Sequence, residues 1–234
     1  MGRSRNSLLV APGVAAGPVF GLWCFDFDST IAAMRWRRKI EAPLARAPGI
    51  GFARILSSAG RKSDAGFGGA PDPRRQILVT SWSDLAASDR FDEQIADGAP
   101  DGRRWRFAGE VYRTTGSHFG HRPLRPSADA LDGPIAVLTL GRTSWRNVVR
   151  FVRHGWRLAP IIHAAPGLIT ALSAGSPLTG NCTFSVWEAQ AAMHAFAYGP
   201  SAQHLRTARA RPPILSEQLN ARMTPLRLTI PGTP

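Results

Sequence analysis

The sequence predicts an α+β chain made of two copies of one βαββαβ unit of roughly 100 residues. Three observations carry that expectation. Strand-like and helix-like segments follow the same order in both halves. A proline-glycine stop recurs, as Ala47-Pro48-Gly49-Ile50 and again as Ala165-Pro166-Gly167-Leu168. A tryptophan ends the third strand each time, in Ser81-Trp82-Ser83 and in Val186-Trp187-Glu188.

Residues 1–17 form an N-terminal extension, expected to be disordered. Arg3 and Arg5 ahead of Ser7-Leu8-Leu9-Val10 look like a short leader, but Pro12, Gly13 and Gly17 break the apolar run. The first unit, residues 18–115, opens with the aromatic, β-prone run Pro18 to Phe27. Ser29-Thr30 then offers an N-cap to a helix carrying Ile31, Met34 and Ile40 at helical spacing. After the stop come strands at Ile50 to Ser57 and Gln76 to Trp82, and a short helix from Ser83 to Phe91. Gly60 to Arg75, rich in Gly, Pro and charge, reads as an inserted loop that makes the first unit longer than the second. Trp105 to Arg113 supplies the fourth strand.

Residues 116–133 read as a linker, and the second unit, 134–234, repeats the order. Pro134 to Leu140 is a strand, and Ser144 caps a helix expected to bury Trp145, Val149, Val152 and Trp156. Leu168 to Ala174 and Cys182 to Trp187 are the next strands. Ala189, Ala192, Met193 and Phe196 open another amphipathic helix, and Met223 to Ile230 closes the unit, with Leu226, Leu228 and Ile230 on one face. Each unit is ferredoxin-like: a four-stranded antiparallel sheet with helices on one face, whose other face needs a cover. A second copy of the sheet is that cover, packed face to face or curled into a shared barrel with the helices outside.

A hydrophobic content of 44% suits a packed protein. The formal charge of +13 is carried mostly by arginines scattered over every segment, without a nucleic-acid-binding motif, so no nucleic-acid partner is expected. Cys24 and Cys182 sit in apolar runs without metal spacing and read as buried, reduced side chains of a cytoplasmic protein. No stretch reaches the roughly 18 apolar residues of a membrane span. There is no GxGxxG, Walker or GxSxG motif to support a dinucleotide enzyme, an NTPase or a serine hydrolase.

The most distinctive text is SVWEAQAAMHAFAYG from Ser185 to Gly199, His204 in SAQHLRTARAR, and SEQLNARMTPLRL from Ser216 to Leu228. With the Gly133 to Leu140 strand, the Trp145 helix and Pro166-Gly167, it resembles the spheroidene monooxygenase family, covering the second half well and the first loosely. The resemblance implies a dimeric α+β-barrel type of fold, here within a single chain. It also implies an oxygenase of acyclic carotenoids that uses haem.

A haem iron takes an axial ligand from a residue such as histidine, in an apolar pocket. His204 is the first choice for that ligand, with Arg206 and Arg209, and Arg211 beyond them, able to meet propionates through their planar forks. Glu188 is the candidate catalytic acid or base, set against the commoner role of capping the following helix, a place Asp84 takes in the first unit. Phe184, Val186 and Phe196 are expected to wall the substrate pocket. His194 faces either that pocket or solvent, whereas His154 and His163 are read as structural. His118 and His121 have half the ligands of a metal site and no third. Arg146, Arg150, Arg153 and Arg157 form one helix stripe, which is either a solvated face or a contact with anionic membrane.

The reading is a haem-dependent monooxygenase, in carotenoid biosynthesis or related natural-product chemistry, acting on a hydrophobic small molecule with electrons from an external donor. Peripheral membrane contact and a homo-oligomer stay open. Two alternatives use the same duplicated fold: a non-catalytic ligand-binding module, and a cofactor-free monooxygenase.

Overall fold

The computed structural model describes residues 9–10, 16–59, 71–96, 105–176, 180–199 and 215–229. His204, Arg206, Arg209 and Arg211 therefore lie outside the described residues. The first unit comprises β2 (Val19–Asp26), α1 (Thr30–Arg46), β3 (Ile50–Ala59), β4 (Pro71–Trp82), α2 (Leu85–Ala96) and β5 (Trp105–Gly116), preceded by the short β1 (Leu9–Val10). The second comprises β6 (Ile135–Thr143), α3 (Val148–His163), β7 (Leu168–Ser176), β8 (Gly180–Trp187), α4 (Gln190–Tyr198) and β9 (Leu215–Thr229). A 3-10 turn at Trp145–Asn147 leads into α3, so Asn147, not Ser144, takes the cap position. The expected inserted loop is shorter than the sequence suggests, because Pro71 to Arg75 already belongs to β4.

Strand order is β1-β3-β4-β2-β5-β9-β6-β8-β7, every ladder is antiparallel, and β3 also meets β7 at Ser58↔Ala174. The two sheets thus close into one barrel, joined along a long β5/β9 ladder and a single bridge on the opposite side. Alternation in each strand sends one set of side chains inward and the other toward the helices. Inside lie Phe20, Leu22, Ile77, Val79, Phe107, Leu138, Phe184, Val186, Ala221 and Met223 among others. Outside, α1 and α2 cover Trp23, Phe25 and Trp82, and α3 and α4 cover Ile135, Ala171 and Trp187.

The repeat survives at atomic detail. Glu188 N–H donates to Gly167 O as Ser83 N–H donates to Gly49 O, at 2.8 and 2.7 Å. Gly49 and Gly167 have φ of 80° and 75°, where a side chain would be strained. Each register slips one residue later, at Ile50/Phe52 and Leu168/Thr170. Trp82 Nε1 donates to Thr80 Oγ1 and Trp187 Nε1 to Ser185 Oγ. Each tryptophan meets a phenylalanine nine positions on, Phe91 or Phe196, in a tilted pair with ring centroids 5.1 Å apart.

Two expected faces are corrected. In β9 the buried parity is Leu219, Ala221 and Met223; a bulge at Ala108/Gly109 shifts the register, so that Leu228 but not Leu226 packs on the barrel core. In α3 the sheet buries Leu158 and Ile162, while Val149 and Trp156 are 63% and 55% exposed. The apolar arc of this helix is broader than the sheet it rests on, and its far edge stays outside. In α1 the expected cap is present: Ser29 Oγ accepts from Ala32 N–H at 3.1 Å. Ser29→Ala should cost about 1 kcal/mol, read as a lower urea midpoint at unchanged m-value.

Candidate functional site

Matching landmarks align the two units position by position, since Val19 pairs with Trp82 as Ile135 pairs with Trp187. In the first unit the layer between sheet and helices is filled by Trp23 and Phe25 from β2 and Trp36 from α1. Phe25 and Trp36 touch at 4.5 Å, and Trp23 meets Trp82 and Phe91 edge-on. The corresponding positions of the second unit hold Thr139, Gly141 and His154. Three large aromatic side chains are replaced by small or polar ones on the same scaffold. Val137 and Thr139 are half-buried, where their counterparts Gly21 and Trp23 are buried. The second unit therefore lines the space between its sheet and α3/α4 with smaller side chains than the first, and Leu215 of β9 takes up the room beside Gly141, where an added side chain would meet it at 3.0 Å.

Polar chemistry differs in parallel. In the first unit Arg106 is neutralised by Asp89 and Asp92, and Asp92 also accepts from Trp23 Nε1 at 2.6 Å. In the second unit His194 stands at the Asp89 position and Ala197 at the Asp92 position. Arg222 on β9 reaches His194 Nε2 at 3.1 Å and donates to Tyr198 Oη at 3.3 Å. Neither partner is an acid, so this guanidinium keeps its charge uncompensated by a carboxylate among the described residues. Beside it the Tyr112 hydroxyl is buried without a partner, and burial raises its pKa against the opposing pull of Arg222. An apolar floor with a cation and an orphan hydroxyl at one rim suits a flat apolar molecule bearing an acidic group, and haem is one such molecule.

The expected site residues separate. Phe184 and Val186 point into the barrel and are part of its core. Phe196 lies on the other side of the sheet, half-buried against Trp187. Glu188 is exposed at the mouth of the helix layer, and no side chain caps α4. Asp84, by contrast, accepts from Ala87 N–H at 2.8 Å, and that bond, with one from Ser83 Oγ, holds its carboxyl below the usual range. Residues 200–214, which join α4 to β9 and carry His204, are outside the described residues.

His118 and His121 do not converge on a metal. They flank a two-residue turn, closed by His118 N–H to His121 O at 2.9 Å and the reverse bond at 3.1 Å, with Phe119 and Gly120 at φ of 53° and 74°. His118 points inward and is 1% exposed, whereas His121 is exposed. Inside the barrel His118 Nε2 meets Arg54 Nη1 at 2.6 Å. Arg54 and Arg142 also lie against the Phe119 ring, at 4.7 and 5.2 Å from its centroid. Glu217 fastens the turn by accepting from Gly120 N–H and Ser117 Oγ. This linker turn is a stopper in one end of the barrel. Among the described residues no group of three or more potential metal ligands occurs. Cys24 and Cys182 are pushed up to about 12 by burial and are inert thiols.

No protein-family model matches the chain. Among solved structures, a putative monooxygenase from Fusobacterium nucleatum is similar over 94% of this chain and 98% of its own, with a TM-score of 0.41 and 10% identity. The haem-degrading enzyme LmHde from Listeria monocytogenes is similar over 87% of this chain and 98% of its own, with a TM-score of 0.31 and 9% identity. Likenesses this distant carry no chemistry from one chain to another. In sequence, the chain is 30% identical to spheroidene monooxygenase of Rubrivivax gelatinosus over 221 residues, which is 92% of this chain and 84% of that protein. On that match the chain belongs to the spheroidene monooxygenase family.

Proposed function

We propose that the chain is a haem-dependent monooxygenase whose substrate, an apolar small molecule of carotenoid type, is oxidised in the helix-layer cleft of the second unit. The observation that carries this reading is the replacement of Trp23, Phe25 and Trp36 by Thr139, Gly141 and His154 at equivalent positions. A duplicated fold that fills one layer with large aromatic rings and lines the other with smaller side chains leaves the second the more open to a ligand. Family membership supplies the class of reaction.

Each residue then has a task. Val137 and Thr139 form the floor and Phe196 part of the wall, together displacing water from an apolar ligand. Arg222 meets an acidic substituent such as a propionate, replacing the carboxylates its counterpart network has in Asp89 and Asp92. His204 would hold the haem iron, with Arg206 and Arg209 able to meet further acidic groups. Glu188, exposed at the strand end, exchanges protons with solvent. Bound haem supplies oxygen binding and activation. Electrons come from an external donor.

The test is the absorption spectrum of protein expressed with a haem precursor, compared with His204→Ala, His194→Ala and Arg222→Ala. The expected result is a Soret band that shifts or disappears in His204→Ala, survives in His194→Ala and weakens in Arg222→Ala. A colourless protein that takes up no haem overturns the mechanism. Oxygen uptake with substrate loss would then mark a cofactor-free monooxygenase, and its absence a ligand-binding module.

A further inference from the structure

The helix that borders the cleft carries a second feature that neither packing nor the proposed chemistry uses. Along α3 the sheet contacts Leu158 and Ile162, and Phe151 is half-buried on the same side. Roughly four-tenths of a turn round the helix from that line, Val149 and Trp156 stand 63% and 55% exposed. The next strip holds Arg150, Arg153 and Arg157, exposed in turn, with Arg146 just before the helix. There is no Asp or Glu in the helix. An exposed tryptophan of this size is costly in water, and here it lies beside a continuous row of guanidinium groups.

We infer that α3 docks on an anionic lipid bilayer, lying in the interface with Trp156 and Val149 in the headgroup and acyl boundary and Arg153 and Arg157 against lipid phosphates. Three features select this occupant. The stripe order, sheet-facing apolar, exposed aromatic, then arginine, is that of an interfacial helix. Tryptophan favours the membrane interface because one ring has an apolar body and an N–H donor. The helix has no acidic residue to repel an anionic surface, and the chain as a whole carries +13. Among the described residues no helix is long and apolar enough to cross a membrane, so contact would be at the surface. The equivalent helix α1 also exposes Ile31, at the Val149 position, but Arg38 stands at the Trp156 position and Glu41 interrupts its charge. Docking by α3 places the cleft beside the bilayer in which an apolar substrate dissolves. In that respect it extends the reading of the cleft, though it stands or falls on lipid binding alone.

The experiment is co-sedimentation of the full chain with vesicles of phosphatidylglycerol and phosphatidylcholine, and with pure phosphatidylcholine vesicles. The chain should bind the anionic vesicles, release in high salt, and leave phosphatidylcholine alone. Arg153→Glu/Arg157→Glu should weaken binding at least about tenfold, and Trp156→Ala several-fold. The charge-matched control Arg35→Glu/Arg38→Glu on α1 should weaken it distinctly less. Circular dichroism checks that each variant is folded. Equal loss from the α1 control would reduce the effect to net charge and overturn the proposal. So would unchanged binding in Trp156→Ala, equal binding to phosphatidylcholine, or a self-associated chain that Trp156→Ala turns into monomers in sedimentation velocity. Loss of haem uptake in His204→Ala with vesicle binding intact separates the two readings.

Discussion

Phe184→Ala should destabilise the fold by about 3–5 kcal/mol, a large share of the roughly 5–15 kcal/mol that holds a typical domain. The ring is 1% exposed at the centre of the barrel. It lies 4.7 Å from Phe107, 5.7 Å edge-on to Trp105 and 6.0 Å from Phe20, so it ties strands of the first unit to the second across the core. A barrel closed on all sides cannot collapse onto the space a lost ring leaves, which places the cost toward the upper part of the range. Phe196→Ala should cost less, because Phe196 is half-buried and borders the cleft. Urea unfolding of both variants checks this. If Phe184→Ala keeps its stability but loses ligand, the ring belongs to a binding cavity and the barrel is not the core described above.

That contrast also marks where sequence reading reached and where it stopped. Prolines, glycines and tryptophans recur at fixed places because the backbone needs them: a positive φ at Gly49 and Gly167, and a hydrogen-bonded indole at the end of β4 and β8. Such landmarks are local, so the duplication and the ferredoxin-like order were legible. Which face of a strand meets which layer is not local. Alternation puts Phe184 and Val186 on one side and Trp187 on the other, but only closure of the barrel decides that the first side is the common core. In α3 the apolar arc is wider than its sheet contact, and periodicity alone cannot choose the half that is covered. In the sequence the stopper at His118 shows only as a linker with two histidines three apart. Of the pair between them only Gly120 favours positive φ; Phe119 takes φ of 53° against the preference of a bulky side chain, so the turn was not legible from the sequence. The thinning of the second unit's outer layer could have been found without coordinates. Once Ala47 is set against Ala165 and Trp82 against Trp187, the exchange of Trp23, Phe25 and Trp36 for Thr139, Gly141 and His154 is already in the sequence.

The stopper should make the protein acid-sensitive in a specific window. His118 is lowered to about 4, first by burial, then by the Arg54 and Arg142 cations, with Glu217 acting the other way. The surrounding elements offer it Arg54 from β3, Arg142 from β6 and Glu217 from β9. Cys182 of β8, near Arg54, is a neutral thiol. In the unfolded chain the imidazole titrates near 6.5. Between about 4 and 6.5 the unfolded state therefore binds more protons than the folded one, and stability rises with pH across that interval. The contribution is complete above pH 6.5, falls as the pH drops toward about 4, and is level below. Its size is about 3 kcal/mol. Protonation would also end the ability of Nε2 to accept from Arg54 and set two cations 2.6 Å apart, so the turn should be expelled from the barrel end. Glu217 adds a loss at lower pH. Despite its desolvation, bonds from Gly120 N–H and Ser117 Oγ hold its carboxyl below 4.5. Comparison with His118→Gln isolates the imidazole, since glutamine keeps a polar side chain there but does not titrate. Urea unfolding from pH 7 to pH 4 should show the wild-type chain losing about 2–3 kcal/mol more than the variant. Parallel curves would mean that His118 is already charged in the folded state, and the stopper would have to be held by Glu217 and the arginine contacts to Phe119 alone.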